Sequence, residues 1–210
     1  MNEFIRFFAF PKSFDEIDLR VLGRENLDNA FEKRKGIVFI TGHIGAWELL
    51  SAWLGSNGYP TTIVLAKQKN RGSNQFIIDH RCQFETKYVY RRSSIDEMYN
   101  ILKRNEALAL ASDQDARKRG VFVNFFGKKA STPKGAARFY LNSGCSLIFT
   151  LCYKVGKNKY VIDFVPIVPE DGANVESITQ SFTKILEEYI RKYPEQYFWF
   201  HRRWKTKPIK

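Results

Sequence analysis

Six short apolar runs, at 36–41, 61–66, 86–90, 107–112, 145–153 and 160–168, alternate with longer stretches that carry helix signals, and this alternation restricts the fold most. Runs of this length, rich in Val, Ile, Phe and Thr, suit buried strands, and helices between them return the chain to lay down the next one. The pattern predicts an α/β domain. Helix starts are marked by chemistry as well as by period. Ser13-Phe-Asp-Glu16 and Ser94-Ile-Asp-Glu97 share the S-x-x-E spacing, in which both side chains can satisfy free backbone N–H groups at a helix N-terminus. Thr132 followed by Pro133 fits an N-cap with proline at the first helical position. Over 174–192, Ile178, Phe182, Ile185, Leu186 and Tyr189 recur at helical spacing.

Nothing divides the chain: there is no internal repeat, low-complexity tract or linker, so residues 1–210 read as one domain. A domain of this size buries about 70% of the surface of its unfolded chain and needs no disulfide or metal staple. Cys82, Cys145 and Cys152 are odd in number and form no C-x-x-C pair, which argues against a disulfide framework or a zinc cage and makes a reducing compartment the default. The longest uncharged stretch, 49–66, is interrupted by Gly55, Ser56, Asn57, Gly58 and Pro60 and falls short of the roughly 20 apolar residues of a membrane span. Residues 1–10 carry Glu3 and no small-residue cleavage site, so they do not read as a secretory signal.

Charge is uneven. The chain has 34 Lys and Arg against 22 Asp and Glu, a net +12. Residues 116–162 hold ten basic residues and no acid, and residues 196–210 hold five more, again with no acid. The remainder, 19 basic and 22 acidic, is net −3. Concentrated positive charge implies an anionic partner: nucleic acid, anionic lipid, a phosphorylated substrate or an acidic protein.

Four constellations could carry chemistry. Gly42-His43-Ile-Gly45-Ala-Trp47-Glu48 joins the run 36–41 to a helix beginning near Gly45. A strand-to-helix junction points backbone N–H groups at a ligand, and the flanking glycines would let a substrate approach closely. His43 is either a general base or a buried histidine bonded to a carbonyl. As a base it would be largely neutral near pH 7, with Glu48 holding one ring nitrogen and stabilising the imidazolium. In a straight helix five residues span about 140°, so the pair meets only if His43 lies outside the helix. With no Ser or Cys nucleophile nearby, the dyad suggests direct attack by a substrate hydroxyl. His80 and Glu85 repeat the H-x-x-x-x-E spacing in a polar stretch that reads as exposed surface, so spacing alone does not discriminate.

Ser112-Asp113-Gln114-Asp115 ends an apolar run; its carboxylates could begin a metal site or serve as turn and capping acids, and no further acid follows until Asp163. Residues 120–127 alternate like a strand, with Val121, Val123 and Phe125 on one face and Phe122, Asn124 and Phe126 on the other. That is more aromatic surface than one buried face needs, which would suit an apolar groove. The tail from Tyr193 to Pro208 mixes aromatics with Arg and Lys, as at a membrane-water interface or on single-stranded nucleic acid.

Taken in order, these segments resemble the bacterial lipid A biosynthesis acyltransferases, lauroyl and myristoyl transferases of the lysophospholipid acyltransferase superfamily. The resemblance runs from about Val21 to Pro208 and is carried by GHIGAWE at 42–48, the arginine of DHR at Arg81, SDQDARKRGVFVNFFG at 112–127, STPKGAA at 131–137 and YPEQYFWFHRRWKTKP at 193–208. It implies a three-layer α/β/α sandwich around a mixed central sheet. It also implies transfer of a fatty acyl group from acyl carrier protein to a hydroxyl of a lipid A precursor, by a peripheral protein at the cytoplasmic face of the inner membrane, without metal or cofactor. His43 then maps to the catalytic base and Glu48 to its partner, Arg81 and Asp113 support substrate binding or site geometry, and Arg202 and Arg203 contact substrate. The oxyanion would be met by backbone N–H groups near Gly45 or by a basic residue.

The chain departs from the family pattern at Ala46, where GHFGNWE has asparagine, at Asn124, where VFVDFFG has aspartate, and at Lys134, where ATPTG has threonine. The membrane-spanning helix and further helices that usually precede the first block have no counterpart in these 210 residues, and Phe4, Ile5, Phe7, Phe8 and Phe10 either dock on a surface or pack in the core. Two other expectations stand beside the main one. The first is the same chemistry on another glycolipid or a phospholipid, with acyl-CoA as donor; the second is a nucleic-acid-binding module built on the basic tail, whose binding would be salt-sensitive and survive loss of His43.

Overall fold

The computed structural model describes residues 17–66, 70–82 and 84–208. Seven strands form one sheet in the order β1 (Asp18–Leu22), β9 (Lys159–Ile167), β8 (Ser146–Gly156), β2 (Ile37–Thr41), β5 (Ala107–Ala111), β3 (Thr61–Leu65), β4 (Lys87–Tyr90). From β8 through β2, β5 and β3 to β4 all pairings are parallel; β9 runs antiparallel to β8 and parallel to β1, so the sheet is mixed. The six apolar runs all become strands. Two elements were less visible: β1, whose sequence DLRVL is half polar, and β7 (Lys128–Thr132), the lysine-led partner of β6 (Val121–Phe125) in a separate antiparallel hairpin.

The period-2 alternation of side chains sends β2 into two cores at once. Ile37 and Phe39 join Ile148, Cys152, Ile162 and Phe164 under α1 (Arg24–Glu32) and α2 (Trp47–Ser56). Val38 and Ile40 join Leu108, Leu147, Phe149 and Leu151 under α4 (Ile95–Lys103), α5 (Gly135–Ser143) and α6 (Val175–Lys192). The result is helices on both faces of a sheet, the expected three-layer α/β architecture. Among the described residues no helix is long and apolar enough to cross a membrane.

Helix α6 begins where its period does. Asn174 accepts from the Glu176 and Ser177 backbone N–H groups and Ser177 returns a bond to Asn174, closing a capping box. Ser94 caps α4 by accepting from the Asp96 backbone. The cap expected at Thr132 is not formed: Thr132 ends β7, its hydroxyl donates to Ala130, and α5 starts at Gly135 after Lys134. The helix expected near Gly45 starts at Trp47 because residues 43–46 are drawn into other bonds. The expected start at Ser13 and the apolar residues Phe4 to Phe10 lie outside the described residues.

Candidate active site

His43 and Asp113 sit two residues beyond the C-terminal ends of neighbouring parallel strands, β2 and β5, whose last register pair is Thr41 with Ala111. In open α/β sheets ligands gather at such ends. The register sets the two side chains abreast: His43 Nδ1 lies 2.8 Å from Asp113 Oδ1, and the His43 backbone N–H donates to Asp113 Oδ2 at 3.0 Å. A carboxylate only accepts, so Nδ1 carries the proton and Nε2 is left as the basic nitrogen. Asp113 is 2% exposed, whereas the His43 side chain is 30% exposed, so the buried acid holds a ring that reaches the surface of a cavity. Burial pushes the Asp113 carboxyl up, but the hydrogen bonds and charge of His43 outweigh it and hold the group below the ordinary aspartate range. Behind it, the Tyr197 hydroxyl donates to the Asp113 backbone carbonyl at 3.4 Å.

Spacing assigned the ring partner to Glu48, and the geometry gives the Nδ1 contact to Asp113 instead. Glu48 is 2% exposed on the first turn of α2, lines the same cavity as His43, and accepts from the Trp47 indole N–H at 3.2 Å. Trp47 stands edge-on to the imidazole, centroids 5.4 Å apart, and Phe198 borders the ring at 6.3 Å.

Both glycines meet a packing demand. A Cβ on Gly42 would lie 3.2 Å from the Asp113 Cβ, so Gly42 lets the carboxylate approach the histidine loop. Gly45 has φ +65° and a Cβ there would meet the Cys152 carbonyl oxygen at 2.1 Å, so Gly45 lets the loop lie against β8. The loop's backbone donors are not turned to a ligand. Those of His43, Ile44, Gly45 and Ala46 go to Asp113, Gly42, Gln196 and Cys152 respectively. The expected backbone oxyanion site near Gly45 is therefore not formed by these four groups.

The cavity has a volume of about 380 Å³ and lies on the α1/α2 side of the sheet. Phe39 and Ala109 form its floor, Leu50 and Leu54 of α2 one wall, Ile63 and Leu65 of β3 another, and Ile78 of α3 (Arg71–Cys82) closes it. Glu48, Gln114 and Arg91 add polar groups to its lining. Thr41 and Thr150 also line it, and their hydroxyls are buried without a partner among the described residues. Sequence reasoning passed over Arg91, Gln114 and both threonines. Arg91 follows directly on β4, a position that topology makes a site edge and composition does not reveal.

The other expected site residues fall elsewhere. Arg203 is 3% exposed, donates to the Ser131 carbonyl at 2.8 Å and to the Thr132 hydroxyl, and lies 5.2 Å over the Phe125 ring, which makes it a clamp of the tail on β7 and not a surface for substrate. Arg202 is exposed and outside the cavity lining. Arg81 is near the end of α3, and its side chain, like those of His80 and Cys82, lies outside what is described. Of the aromatics over 120–127, Phe125 stacks on Trp204, and Phe126 contacts Trp199 and Arg191. Among the described residues no group of three or more His, Cys, Asp or Glu is placed to hold a metal.

Residues 1–206 match the family described as bacterial lipid A biosynthesis acyltransferase. The chain belongs to that family. It is 25% identical over 193 residues to a phosphatidylinositol mannoside acyltransferase of Mycobacterium tuberculosis, covering 90% of this chain and 61% of the relative. To the lipid A biosynthesis palmitoleoyltransferase and lauroyltransferase of Escherichia coli it is 26% and 27% identical, over 192 and 202 residues, each covering 90% of this chain and 62% of the relative. The chain thus spans about three-fifths of the length of these relatives. His43 and its cavity lie inside the matched region.

Proposed function

We propose that this site transfers a fatty acyl group from a thioester to a hydroxyl of a glycolipid, with His43 as general base. The observation that carries the reading is the buried Asp113 carboxylate on Nδ1, which fixes the imidazole with Nε2 basic at the edge of an apolar cavity. The acceptor hydroxyl gives its proton to Nε2 as its oxygen bonds to the thioester carbon; the C–S bond then breaks, and the imidazolium returns the proton to the departing sulfur. A thiolate with a pKa near ~8.5, taking cysteine as the guide, needs little help to leave, so deprotonating the alcohol is the harder demand. Asp113 orients the ring and stabilises the imidazolium from behind, and Glu48 places an acidic side chain on the cavity wall. Ile63, Leu50, Leu54 and Phe39 supply the apolar wall an acyl chain needs, at about 0.8 kcal/mol per buried methylene.

For the acceptor and donor, the names of the Escherichia coli relatives support a lipid A precursor, and the basic surface suits acceptor phosphates and an acidic acyl carrier protein as donor. A second acceptor class, phosphatidylinositol mannosides, is favoured by the mycobacterial relative, which is matched over the same share of the chain. The test is acyl transfer to each acceptor from carrier-protein and coenzyme A thioesters by wild type and His43→Ala. The variant should fold and lose roughly 10²–10⁴ in rate. Near-wild-type turnover would remove His43 as the base.

A further inference from the structure

Two acid-poor basic segments, over 80 residues apart in sequence, are hydrogen-bonded together beside the candidate site. The 3₁₀ turn Arg117–Arg119 exposes three consecutive cations. Tail residues Arg202, Lys205 and Lys207 expose three more. Thr206 donates to Asp115 Oδ2 at 2.8 Å, the Arg117 backbone N–H donates to Asp115 Oδ1 at 3.3 Å, and the Ser131 hydroxyl donates to the Arg117 carbonyl while Arg203 grips the Ser131 carbonyl. The same tail carries two exposed aromatics: Trp199 is 49% and Phe200 77% exposed. Their backbone is not loose. The Trp199 indole N–H donates to the Pro194 carbonyl at 2.7 Å, Phe200 rests on Phe198, and the Phe198 N–H donates to the His43 carbonyl at 2.9 Å. Nearby acids include Asp115, occupied by the bonds above, Glu187, bonded to Arg191 and the Phe126 backbone, and Glu195, exposed at the start of the tail.

We infer that this combined face, Arg117–Arg119 with Trp199, Phe200, Arg202, Lys205 and Lys207, docks the protein on an anionic lipid bilayer. Cations alone would suit an acidic protein equally well. Fixed, outward aromatic rings among cations suit the headgroup level of a membrane, where the rings enter the acyl boundary and the cations meet phosphates. The arrangement deepens the proposed function: through Phe198, the membrane-contacting loop is joined to the backbone of the base itself, so a lipid acceptor would be presented at the site without leaving the bilayer.

The experiment is flotation of the full chain with vesicles of phosphatidylcholine, with and without phosphatidylglycerol, at low and high salt. Wild type should float with the anionic vesicles and be released by salt. Lys118→Gln with Arg119→Gln, and separately Lys205→Gln with Lys207→Gln, should each weaken partitioning roughly 10- to 30-fold, since the turn and the tail act as one surface. Phe200→Ala should weaken it about 5- to 10-fold at low salt, with every cation still in place. All these residues are exposed, so melting temperatures should stay at the wild-type value, and that is measured alongside. Equal flotation with both vesicle types, wild-type binding by the 118/119 variant, or capture by an acidic carrier protein with no vesicle binding would each overturn the proposal. His43→Ala should float like wild type, so a failure of the catalytic reading and a failure of the docking face give different results.

Discussion

At the scale of single residues, the site depends on one carboxylate meeting one ring. Asp113→Asn keeps the volume and can still bond the loop, but an amide can donate to Nδ1 and favour the wrong tautomer, and it offers no charge to an imidazolium. Transfer should fall by about 10²–10⁴ with the KM for donor little changed, in steady-state kinetics across pH. An unaltered rate would show that Asp113 merely supports the loop. Gly45 is the second sensitive position. Gly45→Ala must combine a left-handed backbone with a Cβ driven at the Cys152 carbonyl, and should cost about 2–4 kcal/mol in urea unfolding. Wild-type stability there would mean the loop can move off β8. His43 was legible in the sequence because a histidine between glycines at a strand end is conspicuous; its partner was not, because Glu48 is near in sequence while Asp113 is 70 residues away.

At the scale of elements, the strands were readable and the junctions were not. Five- to nine-residue apolar runs have few other uses than strands, and every one of the six entered the sheet. Junctions depend on competing acceptors: the loop 43–46 was expected to aim its N–H groups at a ligand, but Cys152 on β8 and Gln196 in the tail take two of them. Helix α6 shows the reverse, a boundary set by local chemistry. Asn174→Ala removes the acceptor for two backbone N–H groups and should destabilise the protein by about 1 kcal/mol, read as a lower urea midpoint with unchanged slope. No change in the midpoint would indicate that packing of Ile178, Phe182, Leu186 and Ile190 alone holds the first turn.

For the molecule as a whole, the contact of Asp113 with His43 links stability to pH. The folded state holds Asp113 below its unfolded value near ~3.9, so between the two the unfolded chain binds more protons and stability rises with pH. The contribution is complete above about pH 4–5 and fades as pH falls through the depressed folded value. Melting temperatures of wild type and Asp113→Asn should therefore differ at pH 6 and draw together as pH falls below the unfolded value near ~3.9; a constant gap would detach the stability of the fold from this carboxyl. The sequence by itself determined the α/β class, the six apolar strands, the helical period of α6 and the place of His43 at a strand end, because each rests on interactions within a few residues of chain. Only the tertiary structure decided that Asp113 holds the ring, that Arg203 is buried in a clamp, that the cavity opens between α2 and β3, and that two distant basic segments share one face. Those are consequences of sheet order and register, which place residues side by side according to pairings across the whole chain.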